Sequence, residues 1–226
     1  MKRSCLAFVL ICAACVMAFA VNSVSLVDQS AILFQTIMNA PDKGIDVALL
    51  DRARCVVIVP SVQGAGRVYG ARYGLGLAMC RPPNGLGWTA PSAVKIDGGL
   101  FGKQIISGES DLIILVMTDE SAYRLLKSPL TLGGPGTLAA GPSGQCGYDT
   151  GAFRCAEIVA YSRLQGMFTD VALKGSMLRP IDESNEVLYG RKVSHEDILM
   201  GRIPAPPAAR PLVNTVTMYS PARGQR

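Results

Sequence analysis

Three rhythms of hydrophobic and polar positions run along this chain, and each predicts a different kind of element. Cys55-Val56-Val57-Ile58-Val59 is apolar without interruption and stops at Pro60, the pattern of an apolar strand. From Gln63 to Cys80 the period falls to two. One face carries Tyr69, Ala71, Tyr73, Leu75, Leu77 and Met79, while the other carries Val68, Gly70, Arg72, Gly74, Gly76, Ala78 and Cys80. A strand face of Gly and Ala has little side chain to pack, so another backbone must come close or the sheet must bend. The turn Pro82-Pro83-Asn84-Gly85 leads into a strand over 88–96, Gly98-Gly99 marks the next turn, and Ser110-Asp111 precedes the apolar run 112–117. The predicted class is α+β: one domain whose strongly curved, glycine-rich antiparallel sheet is a meander closing toward a barrel, with a few packed helices.

The helical rhythm appears at residues 25–38, where Val27, Ala31, Phe34 and Met38 form a stripe widened by Leu26, Leu33 and Ile37. Only Asp28 is charged there, so two readings stand: the stripe covers the sheet, or it lies on a membrane. Asn39-Ala40-Pro41 ends this helix, and a second begins near Asp46 and runs through Ala53. A third, over 118–127, has Asp119 and Glu120 in its first turn and Arg124 and Lys127 in its last, matching the helix dipole. Further strands are expected at 156–161 and 167–173. Ser194-His195-Glu196-Asp197 is a capping-box pattern, which makes His195, the sole histidine, an exposed first-turn residue. Pro, Ala and Arg dominate 204–226, and a disordered tail is predicted there.

Composition changes the picture at the N-terminus. Lys2 and Arg3 precede an uncharged apolar run from Cys5 to Ala20 that is short for a membrane span, and Ala18-Phe19-Ala20 offers the small residues of a signal-peptidase site. Residues 1–20 therefore read as a signal peptide, with an alternative in which Cys15 becomes the lipidated start of a bacterial lipoprotein. Either reading exports the chain to the periplasm or to an outer membrane surface, leaving Cys55, Cys80, Cys146 and Cys155 in an oxidising compartment. Their even number permits disulfides in any of three pairings, and Cys55 also reads as a buried free thiol. The formal excess of five positive charges is accounted for by Lys2, Arg3, Arg210, Arg223 and Arg226, so residues 21–203 are balanced. A balanced domain has no general footprint for nucleic acid.

Catalytic signatures are absent. Beyond the predicted leader no HExxH, CxxC or G-x-S-x-G occurs, no cysteine spacing fits zinc, and no cofactor is indicated. The glycines after Pro60 superficially imitate a dinucleotide-binding turn. That motif would bury Gly70, Gly74 and Gly76 in a helix at about 1 kcal/mol each, and no acidic strand end follows. Gly133 to Gly144 has no Lys followed by Ser/Thr as a P-loop requires, so turn chemistry explains it.

Several segments in order resemble the SYLF lipid-binding domain family. They are Ala53 to Val62, Tyr73-Gly74-Leu75-Gly76, Trp88-Thr89-Ala90-Pro91-Ser92, Gly98-Gly99-Leu100-Phe101-Gly102-Lys103, Ser110-Asp111-Leu112-Ile113, Gly141-Pro142-Ser143-Gly144, Ala160-Tyr161-Ser162-Arg163-Leu164-Gln165-Gly166-Met167-Phe168 and Tyr189-Gly190. The resemblance implies one non-enzymatic domain over residues 21–203 that associates with phospholipid or a membrane surface, or serves as an envelope module binding a protein. In eukaryotic relatives a basic amphipathic helix binds phosphoinositides and some members bind actin; residues 25–38 lack those bases. The lipid-contact candidates are Val27, Ala31, Phe34 and Met38, with Lys43 and Arg54 the nearest bases for a headgroup.

Overall fold

The apolar run becomes strand β1 (Cys55–Ala65); Cys55 to Val59 are buried on both faces, so their backbone groups are away from water and need ladder partners on both edges. In the computed structural model it lies between β2 (Ala71–Cys80) and β4 (Ser110–Val116), antiparallel to each. The model describes residues 25–40, 44–65, 71–98, 110–127, 129–133, 138–140, 146–149, 152–164, 167–169, 173 and 175–222. The expected meander is corrected at this point. β3 (Ser92–Gly98) pairs with β2, but the chain then returns to the far side of β1 as β4.

The remaining strands extend the sheet both ways. β5 (Leu130–Thr131), β6 (Leu138–Ala140), β9 (Ile158–Leu164), β10 (Met167–Thr169) and β11 (Ser176–Pro180) complete the path β10-β9-β4-β1-β2-β3-β11-β5, with β6 parallel to β9. β7 (Cys146–Asp149) and β8 (Ala152–Cys155) form a separate hairpin.

Gly74 and Gly76 do what their face of β2 implies. The β1 register slips on both sides of Pro60 and Ser61, where a missing amide donor and a left-handed φ of 60° make a bulge. The bulge drives β1 onto β2: a Cβ on Gly76 would stand 2.5 Å from the Ile58 carbonyl oxygen, and one on Gly74 2.8 Å from the Val59 side chain. The glycines thus admit backbone and not nucleotide. Residues 71–80 are strand, and 66–70 lie outside the described residues.

Each sheet face has its own helical cover. On the face of Leu77 and Met79 lie the first helix α1 (residues 25–38), α2 (Val47–Arg52), capped by the Asp46 carboxylate, and α6 (Arg210–Tyr219). On the face of Ala78 and Cys80 lie α3 (Asp119–Lys127) and α5 (His195–Leu199), which contribute Leu125 and Leu199. Between them, α4 (Asp182–Tyr189) ends at Gly190 in the left-handed conformation. Cys55 and Cys80, paired in register, form a disulfide. Cys146 stands opposite Cys155 in the hairpin ladder.

The predicted disordered tail is corrected too. A 3-10 turn over Pro207–Ala209 leads into α6, whose Leu212 and Val216 are buried in the core. Pro211 sits in the first turn, where a missing N–H costs nothing, so proline here starts a helix.

Candidate functional site

A cleft of about 1070 Å³ opens where the end of α3, the end of β11, the start of α4 and residues 192–196 meet. Leu126, Pro129, Pro180 and Val193 give it apolar lining, and charged side chains surround them. Lys127 and Glu196 form an ion pair of 2.6 Å across it, and the carboxylate holds the ammonium protonated by pushing its pKa up. Arg179 and Lys95 share Asp97, at 3.2 and 3.7 Å. Asp182, Glu183 and Glu186 lie on one helical face of α4. The first two complement the helix dipole.

His195 lies at the edge of this cleft, and the expectation that it is exposed is corrected: it is 5% exposed. Ser194 caps α5 by accepting from the Asp197 N–H, as the capping pattern predicts. That cap places His195 at the first helical position, packed between β3 and α3. Its Nε2 lies 3.0 Å from the Leu125 carbonyl oxygen, which only accepts, so Nε2 carries the proton and Nδ1 accepts from Ser92 Oγ at 2.7 Å. Asn185 of α4 donates to Ser92 Oγ at 3.0 Å and accepts from the Ala93 N–H at 2.7 Å.

A serine hydrogen-bonded to a histidine is also how a nucleophile is paired with its base. The arrangement here is inside out: Ser92 is 0% exposed and lies behind His195, and the histidine is oriented by a backbone carbonyl. The cluster ties α3, α4 and α5 to β3 and holds the cleft walls in place. Among the described residues no group of three His, Cys, Asp or Glu is placed to hold a metal ion.

Burial holds the His195 pKa below the ordinary value, against the opposing effects of the Leu125 hydrogen bond and the Asp182 charge. The unfolded chain therefore takes up a proton that the folded chain refuses. Stability contributed this way is complete above about pH 6.5 and falls as pH drops through the window below it, with a slope of at most about 1.4 kcal/mol per pH unit. Thermal melts between pH 7.5 and 5 should show this loss, and His195→Gln should flatten it. Equal pH dependence in the two proteins would contradict the assignment.

The predicted lipid stripe is not on the surface. Val27 and Phe34 are fully buried in the core, and Ala31 and Met38 pack against it. Phe34 meets Tyr219 of α6 edge to face at 5.9 Å between ring centroids, and Tyr219 donates to Asn39 at 2.8 Å. Burying a side chain of this kind is worth about 1.5–3 kcal/mol, which explains why the stripe turns inward once α6 supplies a partner. Arg54 forms an ion pair with Asp119 in place of a headgroup. Lys43, Cys15 and the whole predicted signal peptide lie outside the described residues. No described helix is long and apolar enough to cross a membrane.

Sequence reasoning missed the cleft and Asn185. The available signal was indirect: Asn185 is a polar position on the inward face of α4, one turn before the apolar Leu188 and Tyr189.

A family model described as Ysc84, Las17-binding protein actin regulator, matches residues 97–219. The chain is similar to SH3 domain-containing YSC84-like protein 1 of Homo sapiens, with 35% identity over 187 residues, covering 82% of this chain and 54% of that protein. It is also similar to the Rattus norvegicus protein of the same name, at 35% over 196 residues, 84% of this chain and 57% of that one. LAS seventeen-binding protein 3 of Saccharomyces cerevisiae is 30% identical over 193 residues, 82% of this chain and 42% of that protein. The chain thus spans about half the length of these relatives.

Proposed function

The chain belongs to the Ysc84 family and carries its SYLF domain, and from that premise we propose that it is a non-enzymatic, exported module that receives a segment of an envelope protein in the cleft between α3, α4 and α5. The observation that carries this reading is the place of the cleft: every lining residue except Lys95 falls inside the matched span. A relative is named as a Las17-binding protein and the family as actin regulators, so protein partners are the precedent. The Ser92–His195 pair is buried and its serine is not presented to the cleft, which fits binding better than turnover. Export is supported by the leader-like first twenty residues and by a disulfide that an oxidising compartment maintains. Association with phospholipid would have to use side chains other than the buried stripe, which is why we place a protein segment in the cleft.

A photo-crosslinking amino acid at exposed Lys192, on the cleft rim, should yield a discrete adduct in host cells. The same group at exposed Arg210 on α6 should not. No adduct at 192, or the same adducts from both positions, would remove the cleft from the account.

A further inference from the structure

The cleft does not end at its rim. Lys95 and Arg179 also belong to the face of the sheet that α1, α2 and α6 cover, and two strand positions beyond that cover the face carries exposed side chains. The register fixes what is contiguous there. Leu75, Lys95 and Arg179 form one cross-strand row, and Tyr73, Asp97, Met177 and Thr131 the next. Side chains opposite one another in antiparallel strands share a face. Leu75 and Tyr73 are each 53% exposed, unlike Leu77 farther along the same strand face, which is buried. One continuous surface therefore runs from an apolar pair, over two cations, to the acidic face of α4.

We infer that this surface binds an extended polypeptide segment whose chemistry runs apolar, acidic, basic, its apolar side chains on Tyr73 and Leu75, its carboxylates on Lys95 and Arg179, and its cation toward Asp182, Glu183 and Glu186. The inference rests on the protein-binding reading above and specifies the partner. Two cations sharing the single carboxylate of Asp97 leave one positive charge in the rows, whereas the α4 acids have no ion pair among the described contacts. The two halves therefore call for opposite signs in a fixed order. Neighbouring strands are about 4.8 Å apart, so crossing from β2 to β11 takes about 10 Å, and about six extended residues reach α4 as well. An anionic bilayer fits the surface worse: Asp97 stands among the cations, and the α4 acids and Glu196 beside them would repel it.

The test uses the full chain and two labelled synthetic peptides of equal composition, Leu-Leu-Asp-Asp-Gly-Lys-Lys and Leu-Leu-Lys-Lys-Gly-Asp-Asp, followed by fluorescence anisotropy at low salt. The acid-central peptide should bind about tenfold more tightly, the size expected when two partly exposed charge pairs change sign. The double variant Lys95→Glu with Arg179→Glu should abolish that preference, because each peptide then meets one matching and one opposing half of the surface. Lys95→Glu alone, at an exposed position that tolerates charge, should narrow it and serves as the check if the double variant does not fold. Equal binding of both peptides to the unaltered chain, or a full preference that survives the double substitution, overturns the inference. If neither peptide binds while the adduct at position 192 persists, the charge order is wrong and the binding module stands; if the adduct is also missing, both fall. Vesicles of three parts phosphatidylcholine to one part phosphatidylglycerol form the last arm. Binding to them that needs Lys95 and Arg179, without peptide discrimination, overturns the inference in favour of a bilayer.

Discussion

Replacing Arg81 with methionine is expected to lower stability by about 3–5 kcal/mol, the usual result of stripping the partner from a buried charge. The Arg81 side chain is buried and lies 3.9 Å above the centre of the Trp88 ring. Nη1 donates to the carbonyls of Gly87 and Ser220, each at 2.9 Å, and Nη2 donates to Ser220 Oγ. Ser220 in turn donates to the buried carboxylate of Asp51 at 2.6 Å, and its carbonyl also accepts from Trp88 Nε1 at 3.0 Å. One guanidinium thereby joins the end of β2, the 82–88 turn, α2 and the residue that follows α6. Methionine keeps the apolar stem over the indole but takes one donor from each of the Gly87 and Ser220 carbonyls, leaving Ser220 only Trp88 Nε1, and removes the guanidinium from the Ser220–Asp51 pair. For a chain of this length the melting temperature should fall by about 6–20 °C. Amide exchange over 210–220 should accelerate more than exchange in β1, because the tail loses its anchor first. A fall of less than about 3 °C would show that Ser220 and Trp88 hold the tail without the charge.

Gly76→Ala should cost about 2–3 kcal/mol, although it adds one methyl group. The added carbon would meet the Ile58 carbonyl oxygen at 2.5 Å and the Val59 side chain at 2.7 Å, and backbone in a central strand cannot rotate away as a surface side chain can. Relief requires opening the bulge at Pro60 and Ser61, which flattens the sheet. Gly190→Ala is the control: its φ of 67° imposes conformational strain, but nothing lies within 4 Å of the new carbon. That variant should lose only about 1 kcal/mol. Chemical denaturation of both separates steric closure from backbone strain, and equal losses would refute the close-packing account of Gly76.

The pattern of the chain carried the local elements well where one physical cause dominated. The uninterrupted apolar run read as a strand, and the structure buries both its faces from Cys55 to Val59. The Gly and Ala alternation had to allow close approach, and the acids and bases of residues 118–127 had to follow the helix dipole. The sequence was less informative wherever a partner distant in the chain was needed. His195 looked exposed because its neighbours in sequence are polar; its actual neighbours are Ser92 and Leu125. Pro, Ala and Arg after position 204 looked disordered because composition does not reveal that Leu212 and Val216 find a core prepared by α1. The stripe on α1 was identified correctly as a stripe, but whether lipid or protein covers it depends on α6, which lies about 180 positions later. The cleft was invisible for the same reason, since its walls come from four separate segments.

Local rules therefore determined the α+β class, the curved glycine strand, the caps and the absence of a recognisable catalytic motif, because backbone sterics and periodicity act within a few residues. Tertiary structure alone decided the strand order, the inward turn of the α1 stripe, the burial of His195 and the cleft. These depend on which surfaces meet after long loops close, and burial energy is assigned only when they do.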